Sequence, residues 1–252
     1  MKPSILAAVA LALGAWTQGA TAAPACYTAL LETKRFEPGS MTVCVADTLH
    51  QDIRVVWMDP SGTPLRNFDN LAKALGPSAA RVRFAMNAGM FDEQGAPIGL
   101  YVEDGAVRVP LNTRSGVGNF YLKPNGVFWV GKDSTVGIDT TEQYAQRSRA
   151  PQWATQSGPM LITDGQLNPQ IAPDGPSKFV RNGVCIRDAH TAIFAISEEP
   201  ISFGRMARFF RDDQGCRNAL YFDGVVSSLW APSLSRKDNT HLLGPMIVVL
   251  DR

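Results

Sequence analysis

An apolar run, Ala219-Leu220-Tyr221-Phe222, ends abruptly in Asp223-Gly224, and two hydroxyls, Ser227 and Ser228, follow within five residues. A carboxylate at the end of a buried strand, with a flexible residue behind it, is where many folds place a nucleophile or a base. The same spacing also describes a turn aspartate capping a hairpin. Four other polar clusters interrupt apolar strands. In Met86-Asn87-Ala88-Gly89 the Asn87 amide arrives at a strand end, as Asp223 does. It can bind a sugar hydroxyl or a phosphate oxygen, or close an Asx-turn. In Thr155-Gln156-Ser157-Gly158-Pro159 the serine lacks the glycine two residues earlier that a nucleophile elbow needs. Exposed N–H groups around Ser157-Gly158 would make an anion cradle instead. Val180-Arg181-Asn182-Gly183 offers a guanidinium whose fork suits a phosphate, the alternative being a surface ion pair. Ser197-Glu198-Glu199 precedes a helix. Its carboxylates serve that helix electrostatically, or Glu198 acts as a second carboxylate for Asp223.

Other chemistries find less support. His50, His190 and His241 are scattered and no cysteines have Cys-x-x-Cys spacing, so no metal is called for. Gly116-Val117-Gly118 lacks the third glycine of a dinucleotide loop, so no cofactor is called for.

The elements that must position these residues are mostly short strands: 41–46, 53–58, 81–86, several between 97 and 138, 180–186, 191–196, 218–222 and 246–250. Asp104-Gly105, Asn112-Thr113 and Asn125-Gly126 separate the middle group, and Asn-Gly is a strong hairpin signal. Helices are expected over 67–75, over 142–149, and after Ser202, where Phe203, Met206, Ala207 and Phe210 form a core-facing stripe. Residues 163–178 read as a loop on the rim of a site. The fold class is α+β: one domain with a mixed or antiparallel sheet core and a few flanking helices.

The chain begins like an export signal. Lys2 precedes an apolar stretch too short to span a membrane, and Ala20-Thr21-Ala22 is a small-x-small cleavage site. Residues 1–22 are therefore expected to be a signal peptide and 23–252 the mature domain, periplasmic and without a membrane span. Loss of Lys2 leaves 23 basic and 23 acidic residues. That balance argues against a nucleic-acid partner, since a phosphate backbone demands a basic excess. The four cysteines suit an oxidising compartment. They allow three pairings, which sequence does not choose among, and Cys26–Cys44 with Cys185–Cys216 is the expected set.

Taken in order, Asn87-Ala88-Gly89-Met90-Phe91, Ser157-Gly158-Pro159, Arg181-Asn182-Gly183 and Tyr221-Phe222-Asp223-Gly224 with Ser227-Ser228 resemble the phosphodiester glycosidase family, the family of the uncovering-enzyme (N-acetylglucosamine-1-phosphodiester alpha-N-acetylglucosaminidase) domain, and in particular a bacterial exported branch. The resemblance covers about residues 80–250. It implies an exported hydrolase that cleaves a sugar-1-phosphodiester or a related glycosidic bond, with a carbohydrate or sugar-phosphate substrate. Asp223 and Glu198 become the catalytic candidates. Asn87, Gly89, Ser157, Gly158, Arg181, Asn182, Gly224, Ser227 and Ser228 become the substrate- and phosphate-binding ones. Val225 and Val226 stand where the family pattern has glycines, and branched side chains there narrow the site. They also motivate the alternative of a non-catalytic envelope module, carbohydrate-binding or structural, on the same fold.

Overall fold

The computed structural model describes residues 25–31 and 39–252; the expected signal peptide lies outside them. The described strands form three sheets, and all their pairings are antiparallel. In spatial order, the first sheet runs Cys26–Leu30, Ser40–Asp47, Thr191–Ser197, Asn182–Asp188, Asn218–Asp223, Met160–Thr163, Gln166–Leu167. The second runs Arg236–Lys237, Leu229–Ala231, Val82–Asn87, Met246–Asp251, Gln51–Val56. The third runs Ala106–Val109, Tyr101–Glu103, Trp153–Ser157, Gly126–Val130, Val136–Thr140.

Alternation along each strand sends one set of apolar side chains to a shared centre. Val184, Phe194, Leu220 and Phe222 come from the first sheet, Phe84, Met86 and Ile247 from the second, and Tyr101, Phe128 and Ile138 from the third. The Phe194 ring joins all three sheets, lying 5.3 Å from the Phe84 centroid and 5.7 Å from that of Phe128. Each such pair adds about 1 kcal/mol beyond simple burial. The outer faces have separate covers. Helix α1 (Phe68–Leu75) packs Phe68 and Leu71 on the second sheet. Helix α2 (Thr141–Gln146) brings Tyr144 to the third. Helix α3 (Phe203–Arg208) lays Met206 and Ala207 on the first. These helices span six to eight residues, little more than two turns at most, and depend on their caps. The side chains of Asn67, Thr140 and Ser202 accept from the backbone N–H three residues on.

Both expected disulfides form. Cys26 and Cys44 face each other across the edge pair of the first sheet, and Cys185–Cys216 ties its middle to the segment after α3. One turn expectation fails. Asn125-Gly126 is not a hairpin turn, because Gly126 opens a strand and the buried Asn125 amide donates to the Phe120 carbonyl and accepts from the Thr141 hydroxyl. No helix among the described residues is long and apolar enough to cross a membrane.

Candidate functional site

Six strand ends meet at one rim of the shared core. Asp223 ends its strand where Asn182 begins the neighbouring one, and Ser197 ends the next strand over. Asn87 and Leu229 bring in the second sheet, and Ser157 brings in the third. A β-bulge sets the aim of the carboxylate. The ladder runs Val184↔Leu220 and Gly183↔Tyr221, then skips Phe222 and pairs Asn182 with Asp223. The surplus residue puts the Asp223 N–H 3.1 Å from Asn182 Oδ1.

Asp223 is half-buried. Its Oδ1 accepts from the N–H groups of Gly224 (2.6 Å), Val225 (2.7 Å) and Val226 (3.3 Å). It is thus the turn-capping aspartate and the chemical candidate at once. Its second oxygen has no hydrogen-bond partner among the described residues.

Asn87 and Asn182 are spent on each other and on the Asp223 loop. Asn182 Nδ2 donates to Asn87 Oδ1 (2.9 Å) and to its carbonyl (3.1 Å), and Asn87 Nδ2 donates to Asn182 Oδ1 (3.2 Å). The Ser227 hydroxyl reaches Asn182 Oδ1 and the Asp223 carbonyl, while the Ser228 N–H reaches Asn87 Oδ1. The two amides, read from sequence as ligand contacts, are the struts that hold residues 223–228 to both sheets.

Arg181 differs most from its sequence reading. It is fully buried, not on a rim, and no carboxylate among the described residues contacts it directly. Its guanidinium stacks on Phe203, 3.7 Å from the centroid, with Tyr221 and Phe179 at 5.3 and 5.5 Å. It donates to the Ile201 carbonyl, the Tyr221 hydroxyl, and the Ser177 carbonyl and hydroxyl. The loop expected to rim the site therefore supplies Ser177 as a lock on this cation. Burial pulls the guanidinium below its ordinary pKa, opposed by Tyr221 and by the charge of Asp223. Burial pushes the Tyr221 phenol up. The result is a fixed positive charge beneath the Asp223 turn, in surroundings that screen it poorly.

Ser157 and Gly158 are buried as well, which corrects the reading of an exposed anion cradle. Ser157 Oγ donates to the Phe222 carbonyl at 3.1 Å, at the bulge itself. Gly89 is a close-approach residue: its N–H donates to Thr155 Oγ1, and a Cβ there would run into the Gln156 carbonyl. Glu198 is exposed, and its Oε1 accepts from Thr42 Oγ1 (2.5 Å) and Arg236 Nη1 (2.7 Å). Arg236 also pairs with Asp238, so Glu198 is a link between the first and second sheets. Its strand lies two positions from that of Asp223, about 9.6 Å across the sheet. A cavity of about 830 Å³ opens elsewhere, where strands Gln51–Val56 and Trp153–Ser157 begin, and is lined by Arg54, Glu103, Arg108 and Trp153. Asp223, Asn87 and Ser157 are not among its walls.

Residues 80–249, the stretch that carries all of these strand-end residues, match the phosphodiester glycosidase family. The chain belongs to the phosphodiester glycosidase family. It is 36% identical over 178 residues to the Escherichia coli (strain K12) protein YigE, described as uncharacterized, covering 71% of this chain and 69% of that one. Among solved structures, the fold is similar to the catalytic domain of zebrafish N-acetylglucosamine-1-phosphodiester alpha-N-acetylglucosaminidase. The TM-score is 0.61 at 15% identity, over 92% of this chain and 85% of that one. A Burkholderia pseudomallei K96243 protein described as exported gives a TM-score of 0.52 at 11% identity, over 84% of this chain and 74% of that one.

Within this phosphodiester glycosidase fold, sequence reasoning missed Tyr221, Ser177 and Arg236. Tyr221 carried a readable signal. It stands two residues before Asp223 and interrupts an aliphatic run with a hydroxyl. Gly224 is explained by the same residue, since a Cβ there would collide with the Tyr221 hydroxyl and stand 3.3 Å from Arg181 Nη1. Gly224→Ala is accordingly expected to cost about 1–3 kcal/mol of stability, the usual penalty for overpacking. Thermal melting checks this; an unchanged Tm would mean that the phenol yields freely.

Proposed function

We propose that this phosphodiester glycosidase is an exported, periplasmic hydrolase that breaks the bond between an anomeric carbon and a phosphodiester oxygen. The observation that carries the reading is Asp223: one carboxylate oxygen anchored by three N–H groups, the other open, above a buried guanidinium. The anchored oxygen fixes the direction of the free one, which is what a base or nucleophile needs. The Arg181 charge favours an anionic group beside it without touching it. A phosphate monoester leaves readily with the bonding electron pair, so little help from a general acid is required. Asp223 accepts the proton of the attacking water, or attacks the sugar carbon itself, and Ser227 lies within reach of the sugar. Glu198, held by Thr42 and Arg236, supports the rim as a positioning residue and remains the candidate second carboxylate. The two disulfides support an oxidising compartment and hence export.

The test is turnover of a panel of sugar-1-phosphodiesters, beginning with N-acetylglucosamine, the sugar in the zebrafish relative's name. Hydrolysis in ¹⁸O-water is expected to label the sugar. Label in the phosphate would mean attack at phosphorus and a different enzyme. Binding of the panel without product over long incubation would favour the envelope module, whose support is Val225 and Val226 in place of glycines.

A further inference from the structure

Four loops that adjoin the strand ends of this site carry exposed hydrophobic side chains. Val225 is 69% exposed, and its N–H donates to Asp223 Oδ1. Phe179 is 44% exposed, and its Cβ lies 3.3 Å from where a Cβ on Gly224 would stand. Val117, 98% exposed, is on the loop leading into Asn119–Tyr121, which packs against Gly158. Leu242, 61% exposed, adjoins the turn whose Pro245 carbonyl accepts from the Ala88 N–H beside Asn87. Single exposed hydrophobics need no explanation, but several around one polar centre mark an interaction site. Two of them, Phe179 and Val225, adjoin Gly224, the residue after the carboxylate. A second sugar as leaving group would ask for hydroxyl-binding side chains in these positions. The side chains present offer hydrocarbon.

Resting on the hydrolase reading above, we infer that the leaving group is the phosphate ester of a hydrocarbon chain, and that Phe179 and Val225 are the residues that select it. The substrate class is then a sugar joined through a 1-phosphodiester to an alkyl or lipid alcohol. Water supplies oxygen to the anomeric carbon as the carbon–oxygen bond to phosphate breaks. The sugar leaves as the free hemiacetal. The water proton passes through Asp223 to solvent, and the alkyl phosphate departs with the bonding pair. Arg181 lies beneath the phosphate and the chain lies along Val225 and Phe179.

The experiment compares methyl and hexyl diesters of the same sugar-1-phosphates on the intact protein. A hexyl chain that buries only two methylenes raises kcat/KM about tenfold over methyl. Val225→Ser and Phe179→Ser each lower that hexyl-to-methyl ratio at least about threefold, whereas Leu49→Ser, on a turn remote from the site, leaves it alone. Titration with hexyl phosphate and methyl phosphate makes the same comparison without turnover and is expected to show the same order. Equal rates and equal affinities for the two chain lengths would overturn this inference and leave the hydrolase reading standing. Absence of turnover across the whole panel would overturn both.

Discussion

Asp223→Asn is expected to lower kcat on a sugar-1-phosphodiester about 10³-fold, within the range for loss of a positioned base or nucleophile, with Tm close to wild type. The two halves of this result come from the two oxygens of one side chain. Asn retains an Oδ1 that accepts the N–H groups of Gly224, Val225 and Val226, so the turn keeps its anchor. What changes is the open position, where a carboxylate oxygen is replaced by an amide that can neither take a proton nor attack carbon. Asp223→Ala is the control for the anchoring function and is expected to lower stability as well as activity. Steady-state kinetics with thermal melting separates the two. Full activity in Asp223→Asn would remove the residue from the mechanism.

Arg181→Met is expected to cost about 4 kcal/mol of stability, near the top of the range for single substitutions. Methionine fills much of the volume between Phe203, Tyr221 and Phe179 but donates nothing. The buried Tyr221 hydroxyl then loses its charged donor, the buried Ile201 carbonyl keeps only the Phe179 N–H, and the ring stack on Phe203 loses its cation; each such loss inside the core costs about 1–3 kcal/mol. Relief of the guanidinium's own desolvation offsets part of the sum. In a chain of this size the change lowers Tm by about 10 °C. Arg181→Lys is expected to recover little, because an ammonium lacks the planar fork and the stacking face that the three rings accept. A Tm within two degrees of wild type for Arg181→Met would show that these hydrogen bonds contribute little net stability.

Much of the frame was legible in the residues. The run 218–223 is a strand because it is apolar and ends in Asp-Gly. The segment after Ser202 is a helix because a capping hydroxyl precedes a 3–4 repeat. Both disulfides join cysteines lying on or beside strands that could be read separately. The readings that went astray share a cause: residue type states what a side chain can bind, not what it meets. Asn87 and Asn182 are 95 positions apart, and each offers the donors and acceptors a sugar needs; folding gives them to each other. Asn125-Gly126 is a turn signal over four residues, yet the Asn125 amide found acceptors and donors inside. Arg181 reads as a surface cation until Phe179, Phe203 and Tyr221 are seen to enclose it, and those rings come from three different segments. The tie between Glu198 and Arg236 is likewise invisible in the sequence, because the two are 38 positions apart and on different sheets.

The bulge at Phe222 gives the site an unusual dependence on spacing. With one residue fewer, the ladder would run on regularly to Asp223 opposite Asn182, the extra residue that re-aims the backbone would be gone, and the carboxylate would take the direction of a regular strand residue. Many single replacements along this strand leave the backbone count unchanged and so preserve the direction of the carboxylate. A one-residue deletion preserves every chemical group and still misdirects the one that matters. Here the gap between core and turn is counted in residues, and a lineage can vary this strand in composition far more freely than in length.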